Sequence, residues 1–100
     1  MAYEVGAFDA TLAAAAGDDP ALLSELRTAF IDSFDRQIDL LGRSRCDGNW
    51  RVAAMRLKGL AASFNVGPLM VLAEQALDAA PGDPVVIRRL QALLSEFSTA

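Results

Sequence analysis

Hydrophobic residues recur at intervals of three and four along most of the chain, the spacing that places them on one side of an α-helix. The longest such run covers residues 20–44 and contains Leu22, Leu23, Leu26, Phe30, Phe34, Ile38 and Leu41. Most positions between them are polar or charged, so this run predicts one long amphipathic helix. Shorter runs of the same kind predict helices over residues 7–16, 49–64, 68–80 and 84–97.

Short segments rich in Asp, Asn, Gly and Pro separate these runs, and such residues cap helices or turn the chain. Asp19-Pro20 and Asp83-Pro84 each combine a favoured N-cap residue with proline at the first helical position. Asn65 is placed to end a helix in the left-handed conformation, which asparagine tolerates better than most residues.

The sequence therefore predicts an all-α fold. Four substantial helices joined by short loops are typical of an antiparallel four-helix bundle, here with a short additional N-terminal helix. A chain of 100 residues is long enough for one core and too short for two, so we expect a single domain over residues 1–100. Val, Ile and Thr are scarce, which argues against a sheet.

Charge and composition exclude several classes of function. The net charge of −4 disfavours binding to nucleic acid, because an acidic surface repels the phosphate backbone. One cysteine and no histidine leave no disulfide, and no metal site or cofactor is expected. The first sixteen residues contain Glu4 and Asp9 but no Lys or Arg, which is unlike a signal peptide. No uncharged run is long enough to cross a bilayer, so we expect a cytoplasmic protein.

The predicted helix over residues 49–64 has two apolar sides on a helical wheel. The wider side, expected to face the core, carries Trp50, Ala53, Ala54, Leu57, Leu60, Ala61 and Phe64. The opposite side, where polar residues are expected, carries Val52, Met55, Gly59 and Ala62. Arg51 and Lys58 flank this second side on one edge, and Arg56 and Ser63 flank it on the other. An outward apolar strip on a small domain is typical of a binding surface.

Gly59 adds to this interpretation, because glycine inside a helix costs on the order of 1 kcal/mol relative to alanine. A partner that approaches the backbone closely would explain it. Two alternatives stay open: the strip is ordinary apolar surface, or Val52 and Met55 pack under the N-terminal segment. Positive residues also concentrate around this helix, at Arg43, Arg45, Arg51, Arg56 and Lys58. They form either a solvated helix face or a basic docking site.

The sequence WRVAAMRLKGLAASFN, residues 50–65, resembles the signature helix of histidine-containing phosphotransfer (HPt) domains. That signature reads Ala-His-x-Leu-Lys-Gly, then small residues, then an apolar residue and a glycine. Only two landmarks differ, since Met55 stands in place of the histidine and Asn65 in place of the later glycine. The resemblance covers residues 18–97, although outside the signature it lies mainly in helix lengths and apolar spacing.

The resemblance implies a helical bundle that shuttles phosphoryl groups between aspartates of response-regulator receiver domains. It implies that the lysine at position 58 manages phosphoryl charge and that the glycine at position 59 makes room for the receiver. Met55 removes the acceptor, because a thioether has no nucleophilic nitrogen and forms no stable phosphoryl adduct. Methionine does suit an adaptable apolar contact.

The sequence thus predicts a non-catalytic HPt-like module of two-component phosphorelay signalling. It would bind a response-regulator receiver domain or a histidine kinase, as an adaptor or an inhibitor. The residues expected to bind the partner are Arg51, Val52, Met55, Arg56, Lys58, Gly59 and Ala62. The alternative is a helical-bundle interaction protein that forms a homo-oligomer, or binds an unrelated partner, through the same face.

Catalysis by the chain itself is a third class, which the sequence disfavours. A catalytic site needs an activated nucleophile or an acid–base pair. Ser63 is explained as a capping or surface hydroxyl, Cys46 as a loop residue, and Asp18 and Asp19 as helix caps. We therefore expect no enzymatic activity.

Overall fold

A computed structural model describes residues 5–99 of the chain, and these residues are almost entirely helical, without strands. The five helices are α1 (Val5–Ala16), α2 (Pro20–Arg43), α3 (Asp47–Phe64), α4 (Gly67–Asp78) and α5 (Pro84–Thr99). The predicted all-α class is confirmed, and the predicted helices agree with the observed ones to within two residues at every end. One difference lies at the start of α3, where Asp47 and Gly48 form part of the first helical turn rather than a loop. A carboxylate there is favoured by the helix dipole.

The predicted caps occur where the sequence indicated them. The Asp19 carboxylate accepts hydrogen bonds from the backbone N–H groups of Ala21 and Leu22, at 3.0 and 3.1 Å. The Asp83 carboxylate accepts one from the N–H of Val85 at 2.9 Å. Asn65 has φ 59° and ψ 50°, so it ends α3 in the left-handed conformation. These contacts satisfy backbone groups that the helix ends would otherwise leave unpaired.

The helices pack as a bundle-like arrangement in which four of them contact each other in a ring. Helix α3 packs against α2 and α4, and α5 packs against the same two helices. Helix α1 lies mainly on α2, with a smaller contact to α3. This arrangement gives α3 two neighbours at its sides and leaves its outward surface open.

Five aromatic rings fill the end of the core where α1 is attached. The Phe8 ring lies 4.7 Å from the Phe30 ring and 5.0 Å from the Phe97 ring, measured between centroids, and Phe34 and Phe64 extend the cluster. Arg27 covers this end, since its guanidinium donates to the Asp9 carboxylate and to the Phe97 carbonyl. Rings at these distances stabilise a core beyond their buried area. Helix α1 is therefore held by both apolar and polar contacts.

The predicted apolar stripe of α2 is buried from Phe30 to Leu41, but its first part is not. Leu22 is 38% exposed. Leu23 and Leu26 are half-buried. Helix α2 is the longest of the five. Its first turns are therefore less covered than its middle, where Phe30 and Phe34 are fully buried. The core side predicted for α3 is confirmed, with Leu60 and Phe64 at its margin half-buried. The buried apolar residues of the last two helices are Leu69, Ala73 and Ala76 in α4 and Val86, Leu90, Leu93 and Phe97 in α5.

Trp50 fixes one end of α3 against α4. Its indole is 2% exposed, and its Nε1–H donates to the carbonyl oxygen of Ala76 at 2.7 Å. Ala76 lies in the last turn of α4. Backbone carbonyl groups in the last turn of a helix lack the N–H partners that they would have inside the helix. Trp50 thereby sets the position of the first two turns of α3.

We expect Trp50→Phe to lower the free energy of unfolding by about 2–3 kcal/mol, because a buried hydrogen bond and part of a buried ring system are lost together. Urea denaturation followed by far-UV circular dichroism measures this change. Unfolding within about 0.5 kcal/mol of the original protein would show that the indole N–H contributes nothing.

Candidate functional site

The apolar strip of α3, consisting of Val52, Met55, Gly59 and Ala62, lies on the surface of the structure. Val52 is 49% exposed and Met55 is 45% exposed, and Gly59 and Ala62 are exposed as well. The opposite side of the same helix is buried at Trp50, Ala53, Ala54, Leu57 and Ala61. Because 3.6 residues make one turn, the buried and exposed sets fall on opposite sides of one straight helix.

Nothing in the described part of the chain covers this strip. Residues 5–16 form α1, whose Phe8 is buried among rings that include Phe64 at the end of α3, whereas Val52 and Met55 lie in the first half of α3. The interpretation in which Val52 and Met55 pack under the N-terminal segment is therefore wrong for residues 5–16. Val71 and Val85 are exposed to a similar degree, so the feature that distinguishes the strip is that Val52 and Met55 lie one turn apart on the same side of one helix.

Val52 and Met55 border a shallow depression of about 520 Å³. Gly48 forms its end towards the start of α3, and Arg51 and Arg56 form its edges. The absence of a side chain at Gly48 keeps this end low. The depression is wide enough to receive one large apolar side chain, with a guanidinium on either side of it.

Charge is distributed unevenly around the strip. Residues 43–58 carry five of the nine positive side chains of the protein and only one, Asp47, of its thirteen carboxylates. Arg51 and Arg56 are exposed, and neither has a carboxylate partner among the residues that the structure describes. The strip therefore has a basic border on a protein that is acidic overall.

Lys58 takes a different position from the one that the sequence alone suggested. Its Nζ lies 3.7 Å from a carboxylate oxygen of Glu74 on α4, so the side chain leans away from the strip. Both side chains are more than one-third exposed. At this distance and exposure the ion pair contributes little to stability. Lys58 remains able to exchange Glu74 for an anionic group of a partner.

Gly59 has open space where a side chain would be. A Cβ atom added at this position meets no atom of the protein within 4 Å, apart from its own helix. Packing within the chain therefore gives no reason for glycine here. Gly42 in α2 and Gly48 in α3 are equally open, so the open space at Gly59 permits a close approach from outside but does not require one.

We expect Gly59→Ala to raise the free energy of unfolding by about 1 kcal/mol, since alanine is the better helix former and its methyl group meets no neighbour. The urea midpoint measures this, and the slope of the transition should stay unchanged. A lower midpoint would contradict the open geometry at this position.

The remaining candidate residues are separated from each other. Ser63 and Cys46 are both exposed, Cys46 being the residue that precedes α3 and Ser63 lying one residue before its end. Among residues 5–99 no group of three carboxylate, thiol or imidazole side chains could hold a metal ion. No helix within the same residues is long and apolar enough to span a membrane.

Sequence reasoning missed the contribution of α2. Leu40, Arg43 and Ser44 line a second groove together with Val52 and Arg56 of α3. A helical wheel of α3 gives no information on which residues of another helix lie beside it. The positive stretch beginning at Arg43 was the one signal in the sequence that pointed to this end of α2.

In comparisons with known proteins, this chain matches no family model, no curated protein and no solved structure.

Proposed function

We propose that this protein is an HPt-like docking module of two-component signalling that binds a receiver domain without accepting its phosphoryl group. The observation that carries the proposal is the strip of Val52, Met55, Gly59 and Ala62, exposed on a helix whose sequence resembles the HPt signature. In this proposal the five helices are an antiparallel four-helix bundle of the HPt type plus α1, and the protein acts in the cytoplasm.

The proposal explains three features of α3 together. Gly59 leaves the helix backbone accessible at the centre of the strip. Met55 supplies an adaptable apolar contact at the position where the resemblance places a histidine. Arg51 and Arg56 border the contact with positive charge, which suits an acidic partner. The partner bound there would be a receiver domain or a histidine kinase.

Without the histidine, the module would regulate a phosphorelay by occupying a receiver domain and not by transferring a phosphoryl group. A receiver bound to this strip would be withheld from other phosphotransfer proteins, so the module would act as a competitor or as an adaptor. No step of this mechanism needs a nucleophile, metal or cofactor from this chain.

Self-association through the same strip is the alternative function, and the exposure of Val52 and Met55 is the observation that favours it. The arginine border argues against a symmetric dimer. In a two-fold interface each patch faces its own copy, so Arg51 and Arg56 of both copies would be brought towards each other. Sedimentation velocity over a range of concentrations decides this question: a monomer throughout would exclude self-association as the function.

The test of the proposed function is a titration of isotope-labelled protein with unlabelled receiver domains, followed by amide NMR. We expect saturable shifts at residues 51–62 of α3 and small shifts in α5. Absence of shifts with every receiver domain of the same cell would overturn the proposal. Shifts centred on α4 or α5 instead would place the contact elsewhere and would equally contradict it.

A further inference from the structure

A second groove lies beside the apolar strip, between the end of α2 and the first half of α3. It has a volume of about 350 Å³. Leu40, Val52 and Ala53 form its apolar part, and Arg43, Asn49 and Arg56 provide polar groups. We call it the arginine groove. Val52 and Arg56 belong both to this groove and to the depression beside Met55, so the two hollows adjoin.

The polar groups of the arginine groove are mainly hydrogen-bond donors. Arg56 has no carboxylate partner among the described residues, and the Asn49 side chain has no hydrogen-bond partner among them either. Ser44 does not add to the donors, because its hydroxyl donates to the Leu40 carbonyl at 2.8 Å. A guanidinium without a carboxylate partner, beside a free amide, is well suited to an oxygen-rich anion.

Arg43 is paired in this structure but can be released. Its Nη2 lies 2.8 Å from a carboxylate oxygen of Asp39, one turn earlier in α2. The Arg43 side chain is 69% exposed and that of Asp39 is 61% exposed, so the pair is solvated and contributes little to stability. A doubly charged anion in the groove would compete for this guanidinium. Asp39 lowers the positive charge of the groove without cancelling that of Arg56.

We propose that the arginine groove binds a phosphate group, with Arg56 as its main ligand and Arg43 and Asn49 as additional donors. A phosphate presents three oxygens, and the groove presents donors from three side chains on two helices. A carboxylate would leave part of this set unused. The site lies to one side of Met55 and needs no covalent chemistry, so the phosphate stays on its carrier.

The position of the groove also indicates the carrier, a conclusion that rests on the proposed docking function. The side chain of Val52 lies between the arginine groove and the depression beside Met55. A partner that seats an apolar group at Val52 would therefore place a phosphate of its own at Arg56. The module would then bind the phosphorylated form of its partner more tightly than the unphosphorylated form.

The first experiment uses two small probes, inorganic phosphate and phenyl phosphate, at matched ionic strength and pH. Amide NMR titration of the labelled protein should show saturable shifts at Asn49, Val52 and Arg56 with both probes. Phenyl phosphate should bind more tightly, because its ring contacts Val52. Equal affinity for the two probes would support a site for free phosphate and overturn the inference that the group is carried by a partner.

Two matched variants complete the test. Arg56→Gln removes the charge and leaves a shorter, unbranched polar side chain, and we expect the dissociation constant for phenyl phosphate to rise about tenfold. Arg88→Gln makes the same change on the exposed surface of α5 and should leave it unchanged. No saturable shifts, or equal affinity of Arg56→Gln and the original protein, would overturn the phosphate site.

The probe titration contains no partner protein, so its result is independent of receiver binding. Phosphate binding without receiver binding would retain the arginine groove and remove the proposed function. Receiver binding without phosphate binding would retain the proposed function and remove the arginine groove as a phosphate site.

Discussion

Gly59→Arg is expected to abolish binding of the partner while the protein stays folded. The new side chain projects from the centre of the strip, where the partner must approach the helix backbone. We expect affinity to fall by at least about 2 kcal/mol, or about thirtyfold, which is the effect of disrupting the centre of an interface. Isothermal titration calorimetry with the receiver domain that binds the original protein measures the loss.

The stability of this variant and the same substitution at a second glycine serve as controls. A side chain at position 59 meets nothing within the protein, and arginine is a better helix former than glycine, so the free energy of unfolding should hold or rise. Gly42→Arg places the same side chain at another open, exposed glycine, near the end of α2 on the side facing α5. Unchanged affinity in Gly59→Arg, or equal losses in both variants, would contradict docking through the strip of α3.

Met55→His is expected to accept a phosphoryl group, which we expect the original protein not to do. The imidazole would stand on the exposed surface at the position that the resemblance assigns to the phosphorylated histidine. Its nitrogen lone pair would attack the phosphorus of a phosphorylated receiver, forming an N–P bond as the bond from phosphorus to the aspartyl oxygen breaks. Incubation with a receiver carrying radioactive phosphate should label the variant and leave the original protein unlabelled.

Two controls separate this chemistry from the mere presence of histidine. Val71→His introduces an imidazole on α4 at a residue that is 53% exposed and lies outside the strip, and it should stay unlabelled. Met55→Gln keeps a similar length without a nucleophilic nitrogen and should also stay unlabelled. Labelling of Val71→His, or no labelling of Met55→His by any receiver that binds it, would show that the receiver does not dock in the predicted orientation.

Most of the secondary structure could be predicted because it depends on local rules. The capping carboxylates of Asp19 and Asp83 and the left-handed Asn65 act through backbone groups a few residues away. The burial of each helix follows from its own periodicity. The exposure of Leu22 could not be predicted in this way, because it depends on which helices lie beside the first turns of α2.

The candidate site was predictable only as far as it lies on one helix. The exposed positions of Val52, Met55 and Gly59 follow from the wheel of α3, and the structure places them accordingly. Two other features depend on which helices are adjacent. Lys58 pairs with Glu74 of α4, and Arg43 of α2 lines the same groove as Arg56. Such contacts join residues far apart in the chain, and periodicity contains no information about them.

The uneven charge of the molecule has a consequence for the kinetics of association. Residues 43–58 carry five positive side chains and one negative side chain, whereas the rest of the chain carries four positive and twelve negative ones. An approaching acidic partner would be turned towards α3 before contact, which raises the association rate constant. The electrostatic force that turns the partner acts over distances longer than the contacts themselves. Dissolved ions limit its range to about 8 Å at physiological ionic strength. Added salt would then change the association rate constant far more than it changes the lifetime of the complex.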